Sequence, residues 1–572
     1  MTFAPQREEA VGTINNIISR SIVQRVYNDG DNTYLTIQQE SRNSTPIVST
    51  SSTLIVPLTN PNVDFVQFDK SFIRLNAIIT LNVSGYQVKS TLLQEETVVD
   101  NPTVDADTVL RGIKLFIGLK NSSDFIQEYA VYHKGKQIAG TLQSNATVES
   151  FLYHASRPQI ETLNKPGIHS VAEKVAAGDD TSACGCFVDL EDLQTAVADT
   201  HTIDINLQIS IPFNDILIFQ QFQTYPASLF GDLELRFKVN PNALVCLQCN
   251  PLDTLKRRAI RLRTSVLKKI VNEVEILAQE YTHEYTQLGD TFNAITHAGK
   301  TEGTADILTG YQKINLATGD VSLSYNSINI ENCFATIIGY RAKPESLEKM
   351  RQKFEKLPFV KFSQNINYLQ FAHKASSAGF NCSQQIYLNN TTDMILLFPT
   401  TSHEAGGTVY KNPMLKDLSL TAMNRKFPEA GFQSTSHEFV NIALNSIRGM
   451  PQKEVVDSFA TPRWDDEEVY RLELDATSFF CPFKVERPTA MGLICDGLDS
   501  KGYQVPIRLM AAPLEYSQYD GYCYASETNK TVPPPILITV NDSYFVFNSK
   551  DGGQCIYSNR PFNETVATFM SQ

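Results

Sequence analysis

The sequence contains no apolar run of the roughly 20 residues that a membrane-spanning helix needs. Its opening residues, MTFAPQREEAVGTINNIISRS, lack the charged-then-apolar order of a secretory signal, so a chain made and used without secretion is expected. Cysteine is sparse, ten in 572 residues, which excludes a disulfide scaffold. There is one tryptophan, and the nine histidines are scattered. Gly-X-Ser-X-Gly, a Walker loop and Gly-X-Gly-X-X-Gly are absent. The lack of any concentrated constellation points away from an enzyme. Charge is scarce: 19% of residues carry it, below the roughly 25% of ordinary soluble domains. A large chain so light on charge suits a surface hidden against copies of itself. Cations are the rarer sign, 49 against 62 anions, for a net −13. Phosphate binding needs a basic field, so a general nucleic-acid-binding protein is disfavoured.

What the sequence has in quantity is alternation. The most informative stretch is residues 202–239, TIDINLQISIPFNDILIFQQFQTYPASLFGDLELRFKV. Ile203, Ile205, Leu207, Ile209 and Ile211 alternate with polar residues, which predicts a strand with one buried face. Pro212 removes a backbone donor and ends the ladder. Phe213, Ile216, Leu217, Phe219 and Phe222 fall near helical spacing, which predicts a short helix or tight turn on the sheet. Leu233, Leu235, Phe237 and Val239 then alternate again. The pattern is a strand across a sandwich, a cap at the corner, and a returning strand.

One core stops growing at about 250–300 residues, so at least two domains are expected. Residues 1–50 read as an N-terminal arm and lead-in, with Ile14, Ile17 and Ile18 at helical spacing behind Glu8 and Glu9. The arm is either a helix docked on its own domain or a contact to a neighbour. Residues 51–250 hold strands at Leu54–Leu58, Ser71–Val83, Val109–Leu119 and the two above; Thr141–Lys174 is ambiguous. Residues 251–305 read as a connector. Residues 306–572 hold a second strand series with a C-terminal extension. That series includes segments around 321–340, Gln385–Leu388, Met394–Phe398, Leu415–Asn424, Glu438–Leu444, Tyr470–Leu474, Ile507–Met510, Ile536–Val540 and Tyr544–Asn548. Pro344 opens an amphipathic helix carrying Leu347, Met350, Phe354 and Leu357. Two strand series with little helix fit two consecutive β-sandwiches of the Greek-key or jelly-roll kind, a mainly β fold.

Each candidate for chemistry has a plainer reading beside it. Gly178-Asp179-Asp180 has the two carboxylates of a Mg²⁺ motif but lacks apolar strands at its flanks, and reads as a loop. Cys184 and Cys186 with Cys246 and Cys249 number four thiolates, enough for zinc or disulfides, or they are ordinary buried thiols. Trp464 with Asp465, Asp466, Glu467 and Glu468 is either a cation-binding or carboxylate-pair site, or an exposed loop. His403-Glu404 and His437-Glu438 each lack the second histidine of a zinc-protease helix. The basic stretch Lys256–Lys269, with Arg257, Arg258, Arg261, Arg263 and Lys268, is either a solvated connector or a surface for nucleic acid or an acidic partner. No catalytic, cofactor or metal residue is assigned.

The run IPFNDILIFQQFQTYPASLFGDLELRFKV resembles the end of the first jelly roll in double jelly-roll major capsid proteins. The run MILLFPTTSHEAGGTVYKNPMLKDLSLTAMNRKFPEAGFQSTSHEFV resembles their second domain. The lineage it is most similar to is that of Polinton/Maverick elements, virophages and Polinton-like viruses. The resemblance implies two eight-stranded sandwiches side by side, and three chains closed into a pseudo-hexagonal homotrimer, a hexon-like capsomer. Such capsomers tile an icosahedral shell around double-stranded DNA. Its partners are other copies, with penton and minor capsid proteins, and the family brings no catalytic residue or cofactor. The expected location is the virion capsid, assembled inside the host cell. The 32 Phe and 23 Tyr suit intimate subunit contacts. The alternatives are a β-sandwich carbohydrate-binding or carbohydrate-active protein, and a minor capsid or spike protein.

Overall fold

The computed structural model describes residues 33–43, 46–84, 114–141, 145–155, 181–182, 185–189, 201–220, 224–248, 286–289, 291–301, 313–355, 358–372, 380–399, 406–410, 412–413, 415–434, 478–485, 487–488, 495–513, 534–548 and 554–558. The first strands are β1 (Thr33–Glu40), β2 (Leu54–Pro57) and β3 (Phe72–Ser84). Then come β4 (Lys114–Gly118), β5 (Ile126–His133), β6 (Lys136–Gly140), helix α1 (Asn145–Ala155) and β7 (Gly185–Asp189). β8 (His201–Pro212), β9 (Leu233–Val239) and β10 (Val245–Gln248) follow.

The alternation of 202–211 becomes a register. β8 lies antiparallel to β3, with Ile205 opposite Ile79, Leu207 opposite Ala77, Ile209 opposite Leu75 and Ile211 opposite Ile73. All eight are buried, and each Ile or Leu gains about 1.5–3 kcal/mol by leaving water. The other face is polar, and there the Thr80 hydroxyl donates to Asp204 at 2.6 Å. β9 stands in a second sheet of order β2-β9-β5-β6. Its Leu235 lies between Val56 and Val131, and its Phe237 between Leu54 and Tyr129. Both inner faces meet in one core. β2 pairs with β9 and β3 with β8, so outer and inner strands nest as a jelly roll requires.

The cap between β8 and β9 is two 3₁₀ turns, Phe213–Asp215 and Leu217–Phe219, not one helix. Its rings pack with Phe68: centroids lie 5.6 Å from Phe213 and 5.1 Å from Phe219. The cap closes one end of the first core, but Leu217 points into the second.

β11 (Thr291–Thr301) and β12 (Lys313–Arg341) follow. β12 hydrogen-bonds to β3 over 322–336 and to β1 over 334–341. These bonds put β12 in the first sandwich's sheet, downstream of the expected boundary at 305. Its apolar residues change phase twice, and two bulges explain why. Leu81, Ile79, Ala77, Leu75 and Ile73 of β3 meet Tyr325, Ile328, Ile330, Cys333 and Ala335. The register shifts between Tyr325 and Ser327 and again between Ile330 and Asn332. Each shift slips one residue and keeps the apolar side chain on the core face.

Helix α2 (Pro344–Phe354) begins on the expected proline, with Met350 and Phe354 buried. The second sandwich then forms from β13 (Phe359–Gln370), β14 (Phe380–Ile386), β15 (Thr391–Leu397), β16 (Leu415–Ala422), β17 (Arg425–Phe432), β18 (Cys481–Lys484), β19 (Val505–Pro513) and β20 (Ile536–Asn548). Its sheets have the orders β13-β20-β15-β18 and β14-β19-β16-β17. First pairs with last and second with second-last, again a jelly roll. β21 (Gln554–Ser558) adds to β20. The fold is therefore mainly β, two consecutive jelly-roll sandwiches. Met423 and Asn424 take positive φ of 50° and 61°, which makes the tight turn between β16 and β17.

The strands expected at 536–540 and 544–548 are one strand, β20. Ile536, Leu537, Ile538 and Val540 enter the second core, whereas Phe545 and Phe547 enter the first. Asn541, Asp542 and Ser543 mark the change and are buried. Asn541 accepts from the Thr391 hydroxyl at 2.7 Å, and Asp542 from the Gln364 amide at 3.0 Å. The expected strands at Glu438–Leu444 and Tyr470–Leu474 lie outside the described residues, as does the arm before Thr33.

Candidate functional site at the joint between the sandwiches

The ambiguous stretch after Thr141 contains α1, which contributes to both sandwiches. Its sequence NATVESFLYHA has three directed faces. Val148, Phe151 and Leu152 enter the second core. Thr147, Ser150 and His154, at i, i+3 and i+7, meet the 3₁₀ turn Ser122–Phe125 of the first sandwich. The Thr147 hydroxyl donates to the Ile126 carbonyl at 2.8 Å, and the Ser150 and Ser123 hydroxyls are 2.6 Å apart. His154 Nε2 is 2.9 Å from Ser123 Oγ. Glu149 points a third way and accepts from the Leu217 amide at 2.6 Å and the Tyr129 hydroxyl at 3.2 Å.

Charge is concentrated where water is excluded. Asp124, Glu149, His154 and Asp215 are all buried around α1. Asp124 accepts from the Asn121 amide at 3.2 Å. Burial pushes its carboxyl up from 3.8 to about 6, against the lowering pull of Ser150, Asn121 and Lys120. Asp215 lies 3.7 Å from His154 Nε2. Ser123, His154 and Asp215 have the composition of a nucleophilic triad but not its geometry. A triad uses one ring nitrogen for serine and the other for aspartate. Here Nε2 faces both, and all three side chains sit in the interior.

Polar and aromatic contacts complete the joint. The Asn240 amide donates to Thr147 Oγ1 at 2.9 Å and to the Gly406 carbonyl at 3.1 Å. Gly406 has φ of 86°, and a Cβ there would collide with Asn240. The Thr408 amide donates to Gln287 Oε1 at 2.9 Å, and Lys120 Nζ to Ser478 Oγ at 3.3 Å. Phe230 stacks on Phe359 at 5.1 Å and touches Phe354 and Phe547 at 5.5 Å each. Such ring pairs add about 0.5–1.5 kcal/mol each beyond burial.

The structure does not bring the sequence's candidate ligands together. Cys186 on β7 and Cys246 on β10 both face Ile117 of β4, from opposite sides. They are two strand spacings apart, about 9.6 Å, beyond the ~7 Å reach of a disulfide. Cys186 is a half-buried free thiol, and burial pushes it up to about 12. Among the described residues no group of three or more His, Cys, Asp or Glu is placed to hold a metal. Asp179, Asp180, Cys184, Cys249, Lys256–Lys269, His403, Glu404, His437, Glu438 and Trp464–Glu468 lie outside the described residues.

No family model and no curated protein matches the chain. Among solved structures it is similar to the major capsid protein of mavirus, with 8% identity, TM-score 0.43, and coverage of 92% of this chain and 90% of that one. It is similar to a chain of the Sputnik virophage structure, with 11% identity, TM-score 0.42, and coverage of 93% and 90%. The Faustovirus major capsid protein matches at 8% identity and TM-score 0.40, covering 93% of this chain and 98% of that one. The fold assignment itself stands on the strand order and register of this chain.

Proposed function

We propose that the chain is a capsid building block whose two jelly rolls act as one rigid unit. Three copies would close into a pseudo-hexagonal capsomer, and capsomers would tile an icosahedral shell around double-stranded DNA. The observation that carries this reading is the interlocked pair of sandwiches. A shell subunit must present fixed edges to its neighbours, and a joint filled from both sides supplies that fixity. The interior polar groups described here are spent on that joint, which suits a structural protein and not an enzyme. Hydrophobic burial would drive assembly and charge would set register. Light scattering on the purified chain tests the reading. A species near three times 63.9 kDa, with shell fragments in negative-stain images, is expected. A stable monomer at micromolar concentration would contradict it, and glycan binding by that monomer would favour the carbohydrate-binding alternative.

A further inference from the structure

We propose that the joint is a proton-operated clamp: proton uptake by Asp124, buried in the turn that seats α1, tightens the seat of α1 between the sandwiches, and proton loss loosens it. The geometry comes first. Three carboxylates converge on one eleven-residue helix from three elements: Asp124 from the turn Ser122–Phe125, Glu149 from α1 itself, and Asp215 from the turn Phe213–Asp215. All are 2% exposed or less. Among the described residues, the other titratable groups facing them include Lys120 after β4, His154 on α1, Tyr129 on β5, Tyr410 of the second sandwich and Tyr557 on β21. Asp124 sits in the turn that seats α1 and is fully buried, so its ionised carboxylate has lost its water there. Protonating Asp124 removes that charge and relieves the cost.

The direction follows from Asp124. Its folded value is raised, from 3.8 to about 6, chiefly by burial. The stabilisation its neutral form provides is therefore full below pH 3.8 and is lost as pH rises through about 6. Between pH 7.5 and pH 5 this linkage changes the closed-to-open ratio about tenfold. Burial raises Tyr129 and Tyr410 well above 10, so neither titrates in that window.

Amide hydrogen exchange of the full chain at pH 5.0 and pH 7.5, corrected for the intrinsic rates, tests the clamp. The α1 amides are expected to open about tenfold less often at pH 5.0, while β16–β17 amides change less than twofold. Asp124→Asn is expected to remove the α1 difference. Equal or faster α1 opening at pH 5.0 in the unaltered chain would overturn the proposal, and that measurement decides alone if the variant does not fold. A tenfold difference that persists in a folded Asp124→Asn would overturn it too.

Discussion

The two sandwiches reach the same nested strand order by different routes. The second takes its eight strands consecutively, from β13 to β20. The first takes β12 from beyond the connector, and its core contains Phe359, Phe545, Phe547 and Cys555 from the second half of the chain. The debt runs both ways, because Val148, Phe151, Leu152 and Leu217 of the first series sit in the second core. Strand order therefore does not define an independent unit. What decides independence is which core each apolar side chain enters, and here the side chains cross over.

The largest effect should come from cutting the chain at the apparent boundary. A fragment ending at residue 250 keeps β2, β3, β8 and β9 but loses β12 and the two phenylalanines of β20. That loss exceeds the 5–15 kcal/mol or so by which domains are stable, so its circular-dichroism melt should show no cooperative transition. A sharp melt would mean the first sandwich stands alone.

Phe237→Asp comes next. It places an unpaired charge in the first core, where Phe237 is 1% exposed, and should cost more than about 4 kcal/mol. Soluble expression should be lost; normal yield of folded protein would remove Phe237 from the core. Phe547→Ala should cost about 3–5 kcal/mol in denaturant titration. It removes a ring that meets Phe230, Phe359 and Tyr225 at 5.5–5.8 Å. The informative point is that it should lower the stability of both sandwiches, although β20 belongs to the second. Arg351→Ala should change stability by less than about 0.5 kcal/mol, because its 3.1 Å contact to Glu348 is exposed on α2.

The frame of the molecule could be read from the sequence because one face of each long strand is wet. In β8 the polar partners Asn206 and Gln208 alternate with buried aliphatics, and a period of two shows through. α1 was illegible for the opposite reason. Every residue from Ala146 to His154 is buried, so its polar face, Thr147, Ser150 and His154, does not mark a solvent side, and Asn, Thr, Val and Ser are weak helix formers. β12 hid its place in a different way. Its bulges at Asn326 and Glu331 break the alternation, and its partner β3 lies some 240 residues upstream. The acidic joint was unreadable because Asp124, Glu149 and Asp215 are brought around α1 only through tertiary packing. Their spacing in the chain has no motif.

Scanning calorimetry of the full-length chain tests the interlock most directly. Two sandwiches that share their cores should unfold in one transition, with calorimetric and van't Hoff enthalpies equal, and Phe547→Ala should move that whole transition to lower temperature. Two separate transitions, with Phe547→Ala shifting only one of them, would contradict the account.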